Sequence, residues 1–145
     1  MNWKLLHESD GQRTLAVIFD AGDEVTQGLL AFAKEQNLKA SQFTAIGAFN
    51  DVVVGYFDWA TKKYNPIPIR EQVEVLMLAG DVSLNDSEPQ VHAHVVVGKA
   101  DGTAHGGHLI EAHVRPTLEV VLIESPSYLQ REMDKATGIA LIRVS

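Results

Sequence analysis

Val91-His92-Ala93-His94-Val95-Val96-Val97 sets two imidazoles two residues apart in an apolar run, and Gly106-Gly107-His108-Leu109 follows soon after. Residues two apart in a strand project from the same face. His92 and His94 therefore stand side by side, with Ala93, Val95 and Val97 on the other face. Their Cβ atoms lie within about 7 Å, close enough to converge on one ion. Zn²⁺ favours neutral imidazole nitrogen at about 2.0–2.1 Å. A third ligand must come from elsewhere, and His108 is the natural candidate, because the glycine pair permits a sharp, close-approaching backbone just before it. Three protein ligands leave a fourth position for water, as in catalytic zinc sites. The alternative is a half-exposed polar strand face, and an H-x-H pair alone does not separate the two. Gly-Gly-His close behind, in a chain of six histidines, favours zinc or another divalent transition metal. His105, beside Gly106, could replace His108 or bind at the rim. His113 suits the surface or a hydrogen-bonded core position, and His7 has no assigned role.

A metal-bound histidine usually gives its second ring nitrogen to a carboxylate or carbonyl. Glu119 lies within the apolar run Leu118-Glu-Val-Val-Leu-Ile. A buried carboxylate there must be paired, so Glu119 is the candidate catalytic group, orienting a ligand or acting as acid/base near bound water. The alternative is that it faces solvent on an alternating strand. Glu111 is expected to be exposed. Other catalytic signatures are absent: there is no G-x-S-x-G, no H-E-x-x-H, no phosphate loop and no dinucleotide fingerprint. The chain has no cysteine, which removes thiolate nucleophiles, zinc fingers, iron–sulfur clusters and disulfides.

The elements that must position these groups read as follows. Residues 13–20 form a short strand rich in strand formers. Asp23 caps a helix over 24–36, on which Val25, Leu29, Phe32 and Ala33 make one apolar stripe, and Asn37 ends it. Two strands follow, Phe43–Phe49 and Val52–Trp59, separated at Asn50-Asp51. Tyr64–Ile69 belongs at a sheet edge, because Pro66 and Pro68 lack an N–H. Further strands cover 71–84, Gln90–Gly98, Thr117–Glu124 and Ile139–Val144. One or two helices with about seven strands imply an α+β fold with a mainly antiparallel sheet, in one compact domain over residues 1–145.

Composition agrees. At 145 residues, with 46% hydrophobic and 21% charged residues, the chain suits one globular domain. Twelve basic residues face nineteen acidic ones, for a formal charge of −7. Residues 1–72 hold seven basic and nine acidic side chains, and residues 73–145 hold five and ten. Direct nucleic-acid binding is not expected, since it needs a basic stripe to displace counterions. No run approaches the ~20 apolar residues of a membrane helix, and the N-terminus lacks the apolar core of a signal peptide. A cytoplasmic protein that does not enter the membrane is expected.

The chain resembles the PPC domain family, formerly domain of unknown function 296. The resemblance is carried by Gly22-Asp23-Glu24 before a helix with Leu30 and Phe32, and by Thr44-Ala-Ile-Gly47-Ala-Phe49 with Val54-Gly55-Tyr56-Phe57. Leu78-Ala-Gly80-Asp81-Val82 and Asp134-Lys-Ala-Thr137-Gly138 add to it. Its most specific part is His92-Ala-His94 with Asp101-Gly102 and Gly106-Gly107-His108-Leu109. The resemblance implies a homotrimer and an α+β architecture similar to acetolactate decarboxylase, whose zinc site also uses H-x-H plus Gly-Gly-His. On that analogy His92, His94 and His108 are the metal ligands. His105 stands where the family commonly carries an apolar residue, which argues against it as a primary ligand and leaves open an accessory role particular to this chain. Two functions follow as expectations. One is a metal module with a small-molecule pocket. The other is a non-catalytic oligomerisation or regulatory domain, associated with DNA through the AT-hook proteins of plants. This chain has no Arg-Gly-Arg-Pro hook.

Overall fold

The apolar strands join one sheet of nine in the computed structural model, which describes residues 1–144. In chain order the elements are β1 (Asn2–Ser9), β2 (Gln12–Asp20), α1 (Val25–Glu35), β3 (Ala40–Asp58), β4 (Lys63–Ile69), β5 (Val73–Asn85), β6 (Glu88–Gly98), β7 (Ala104–Glu124), β8 (Gln130–Met133) and β9 (Ala140–Arg143). All strand pairs are antiparallel except the single parallel link Leu84–Gln130 between β5 and β8. The fold is therefore the expected α+β class with one helix. Because β6 pairs both β5 and β7, and β3 also pairs both, these four strands close a circuit.

One core fills its inside. Phe19, Phe32, Phe49, Leu78, Leu118 and Leu122 are all at most 1% exposed within a single apolar cluster. Strand alternation explains their selection. Along β7, Leu118, Val120 and Leu122 are buried, while Glu119 and Val121 between them face out. Helix α1 lays Val25, Leu29, Phe32 and Ala33 onto this core and packs against β6 and β7. Its cap is Glu24 rather than Asp23. The Glu24 carboxylate accepts from the Thr26 and Gln27 amides at 3.1 and 2.7 Å, and its Oε1 also takes the Ala112 amide of β7 at 3.2 Å. The Asp23 carboxylate instead accepts from the Asp20 amide at 2.9 Å. Asn37 ends the helix region at φ 53°, the left-handed conformation expected of it.

Four strands differ from the sequence reading. The strands expected on either side of Asn50-Asp51 are one 19-residue strand, β3, because Phe49 and Asp51 stay paired with Val114 and His113 while register shifts absorb the misfit. β7 begins at Ala104 rather than Thr117, since pairing with β3 and β6 overrides the weak strand preference of its glycines. β1 and β8 were not expected at all. β1 is exposed along its whole length, so it carries no burial alternation to detect. The proline-bearing β4 pairs only with β3, as an edge strand should. Among the described residues no helix is long and apolar enough to cross a membrane.

Candidate metal centre

Register builds the site. His94 on β6 is the cross-strand partner of His108 on β7, and His92 lies two residues earlier along β6 on the same face. The ring centroids lie 5.1 Å (His92–His94), 5.2 Å (His92–His108) and 5.4 Å (His94–His108) apart. One donor nitrogen from each lies within 4.8 Å of the other two. Imidazole–zinc bonds of about 2.0–2.1 Å keep the donors of one ion within about 4.2 Å of each other. A tetrahedral ion would hold them about 3.4 Å apart, so small rotations of the rings would close the site. His92, His94 and His108 are the only such group of three among the described residues.

Gly106 and Gly107 act through close approach, not through a turn. A Cβ at Gly107 would lie 2.7 Å from the Gly55 carbonyl oxygen, and one at Gly106 would lie 2.6 Å from that of Val95. The chain stays extended through both, so the expected bend is replaced by a strand pressed between β3 and β6. Tyr64 of β4 then stacks on His108 at 4.4 Å, with an interplanar angle of 22°.

The electrostatics suit a neutral donor set. Burial first, then the neighbouring His92 and His94, push the His108 imidazole down to about 4. His94 is lowered by burial and then by His92. Both rings are held toward the lone-pair form that binds metal. The Nδ1 of His108 is buried and has no hydrogen-bond partner. An unpaired buried polar nitrogen is costly, and a cation on the imidazole cluster would relieve it. The residues present therefore fit a transition metal.

Two further side chains frame His92. Asp81 is its cross-strand partner on β5, with Oδ2 3.5 Å from His92 Nδ1. At that length the contact is electrostatic rather than a formed hydrogen bond. Burial raises the Asp81 carboxyl, but His92, Arg131 and the Ser83 hydroxyl outweigh it and hold the group below its ordinary range. Asp81 could have been suspected from sequence as an acid in the apolar run of 71–84. Arg131 and Tyr64 carried no signal, because their place depends on strand pairings the sequence does not show.

The other expected site residues lie apart. Glu119 faces outward from β7 and lines a separate cleft with Ile46, Leu76 and Pro116, taking the solvent-facing alternative. His105 is exposed at the start of β7, outside the group of three, with Nε2 3.3 Å from the Thr103 hydroxyl. Glu111 is exposed, as expected. His113 pairs with Asp51 at 2.9 Å on the β3–β7 seam.

Two cavities meet at the imidazoles. One of about 300 Å³ is lined by His92, His108, Tyr64, Gln90, Arg131 and Met133, beneath the β8–β9 hairpin. The other, about 540 Å³, lies on the helix side and is lined by Leu29, Leu30, Val91, Ile110, Tyr64 and His108. Tyr64, Gln90, Val91 and His108 border both. Gln90 Oε1 is buried there without a partner.

Residues 6–126 match the model of the Plants and Prokaryotes Conserved (PCC) domain. A plant- and prokaryote-conserved protein from Pyrococcus horikoshii is 31% identical and superposes with a TM-score of 0.85 over 99% of this chain and 96% of its own. A metal-containing protein from Archaeoglobus fulgidus is 32% identical, with a TM-score of 0.83 over 99% of both chains. A Staphylococcus aureus protein similar to α-acetolactate decarboxylase shares the fold at 13% identity, with a TM-score of 0.58 over 79% of this chain and 53% of its own. Among curated proteins, the bifunctional protein GlmU of Synechococcus sp. strain JA-3-3Ab is 32% identical over 120 residues, or 81% of this chain. The match spans 18% of that protein's length.

Proposed function

We propose, for a chain that belongs to the Plants and Prokaryotes Conserved domain family, that His92, His94 and His108 hold one divalent transition metal, zinc foremost, beside a small-molecule pocket. The observation that carries this reading is the convergence of three imidazoles, one donor nitrogen from each within 4.8 Å of the others. The metal-containing A. fulgidus relative supports it. A bound zinc would supply Lewis-acid polarisation or an activated water. The protein's own part is to favour the neutral forms of His94 and His108, cover His108 with Tyr64, and present a cavity. About 300 Å³ is at the small end of ligand sites, which run to about 1,000 Å³, so a small metabolite is the expected occupant. Elemental analysis of protein purified without a histidine tag tests the reading. About one transition metal per chain is expected, and protein with no stoichiometric metal would sink it.

A second reading, assembly, rests on a different surface. Ile46, Leu76, Met77, Val96 and Val121 lie 43–58% exposed on the outward face of adjacent strands β7, β3, β5 and β6. Exposed apolar faces of this kind mark interaction surfaces, and the family resemblance implies a homotrimer. His94 is two residues from Val96 on the same strand, so the metal site borders this face and the two readings are compatible. The net charge of −7 disfavours nucleic acid as the occupant of the surface. Light scattering at micromolar concentration should give three chains, and a monomer would remove the assembly.

A further inference from the structure

We propose that Asp81 and Arg131 are positioning residues of the metal site, with Arg131 holding Asp81 so that its free oxygen orients His92. The proposal rests on the metal reading above for its purpose, but its geometry is independent of it. Arg131 stands on β8, outside the residues that match the family model.

The guanidinium is spent inside the protein. Its side chain is 5% exposed. Nη2 donates to Asp81 Oδ1 at 2.7 Å, Nε to the Ser83 hydroxyl at 2.7 Å, and Nη1 to the Ala140 carbonyl at 2.9 Å. The Ser83 hydroxyl in turn donates to Asp81 Oδ1 at 3.1 Å. All of this fixes one oxygen of Asp81. The other, Oδ2, is left facing His92 Nδ1 at 3.5 Å. A carboxylate anchored on one side and open on the other favours the tautomer with the proton on Nδ1. Nε2 then keeps the lone pair for the ion.

The hairpin is placed for this task. Leu84 donates its amide to the Leu129 carbonyl at 2.7 Å and pairs with Gln130, so β8 is tied to β5 three residues past Asp81. The same hairpin roofs the 300 Å³ cavity through Arg131, Met133 and Ala140. Ligand orientation and pocket closure are thus carried by one short element. A purely structural role is the competing account, in which Arg131 pins the hairpin and His92 merely lies nearby.

Three measurements separate these accounts. Nitrogen NMR of the metal-free protein should find His92 with its proton on Nδ1, and Asp81→Asn should shift it toward the Nε2-protonated form. Competition against a zinc chelator should show a loss of about 10–100-fold in affinity for Asp81→Asn. Ser83→Ala, a milder change that leaves the ion pair in place, should show a smaller loss. Cobalt substituted into both variants should give an altered visible spectrum. Glu124→Gln is the control. Glu124 is 5% exposed and accepts from the Lys39 and Ala40 amides and the Ser41 hydroxyl, so its loss lowers stability without reaching the imidazoles. Unchanged tautomer and affinity in folded Asp81→Asn or Ser83→Ala would overturn the proposal, as would an equal affinity loss in Glu124→Gln. A wild-type protein that binds no zinc but keeps the Asp81-dependent tautomer would sink the metal reading alone.

Discussion

Two histidines of this fold face an aspartate across a strand pair, and they are put to opposite uses. His113 and Asp51 are register partners on β7 and β3, and His92 and Asp81 are register partners on β6 and β5. In the first pair the contact is 2.9 Å, and no arginine hydrogen-bonds to the Asp51 carboxylate among the described residues. The hydrogen bond to Asp51, with Asp51 and Glu111 charges nearby, raises the His113 imidazole above its ordinary value. Asp51 is lowered first by that same bond. Both shifts favour the charged forms of the pair. In the second pair Arg131 takes up one oxygen of the carboxylate, the contact lengthens to 3.5 Å, and two more imidazoles stand beside the ring. One motif therefore raises the imidazole where the carboxylate hydrogen-bonds to it directly. It frames a candidate metal ligand where Arg131 already holds the carboxylate.

The largest effect should come from exchanging the two histidines as targets. His92→Ala combined with His94→Ala removes two of three donors, and metal should fall below detection by elemental analysis. His108→Gln should lose most of it. His113→Gln should retain the wild-type stoichiometry. Metal loss in His113→Gln would break the comparison, because that ring lies outside the cluster.

The contrast also explains how much could be seen beforehand. The H-x-H pair was legible because strand geometry has a period of two, which sequence displays directly. His108 was legible through its glycines, although their service is close packing against Gly55 and Val95 rather than a bend. The sheet class and the edge position of β4 followed from apolar runs and prolines. Asp81 stood out as an acid in an apolar run, but its pairing with His92 was hidden because it depends on register, which shifts across β5 and β6 at a bulge between Val75 and Met77. Arg131 was hidden because β8 is four residues long and makes no periodic pattern. Glu119 was a fair suspicion from an acid in an apolar run, but the same pleat that buries Leu118 and Val120 turns it outward.

Acid should pull the two regions in opposite directions. Below the unfolded value of 6.5, the unfolded chain takes a proton on His108 that the folded ring resists until about 4. The unfolded state binds more protons in that window, so metal-free protein loses stability as pH falls from 6.5 to 4. After allowing for solvent at a half-buried ring, the effect is on the order of 1–2 kcal/mol. Urea unfolding of metal-free wild type and His108→Gln at pH 7.5 and 5 checks it. The variant should be less acid-sensitive, and equal pH slopes would remove burial as the cause.

His113 carries the smallest effect and the opposite sign. Its folded value is raised, so its contribution is complete below the unfolded value of 6.5 and is lost as pH rises through the folded one. Asp51 is lowered, so its share is present above 3.8 and is lost as pH falls through its folded value. The pair therefore supports the fold most between the carboxylate range and pH 6.5. Both side chains are more than a third exposed, and such pairs contribute less than about 1 kcal/mol. His113→Gln should lower the urea midpoint slightly at pH 5.5, by less in high salt because the pair is screened, and not at pH 9. A loss of the same size at pH 9 would mean that the ring acts by packing. The division between an aspartate bonded to its histidine and one held by Arg131 would then rest on the Asp81 side alone.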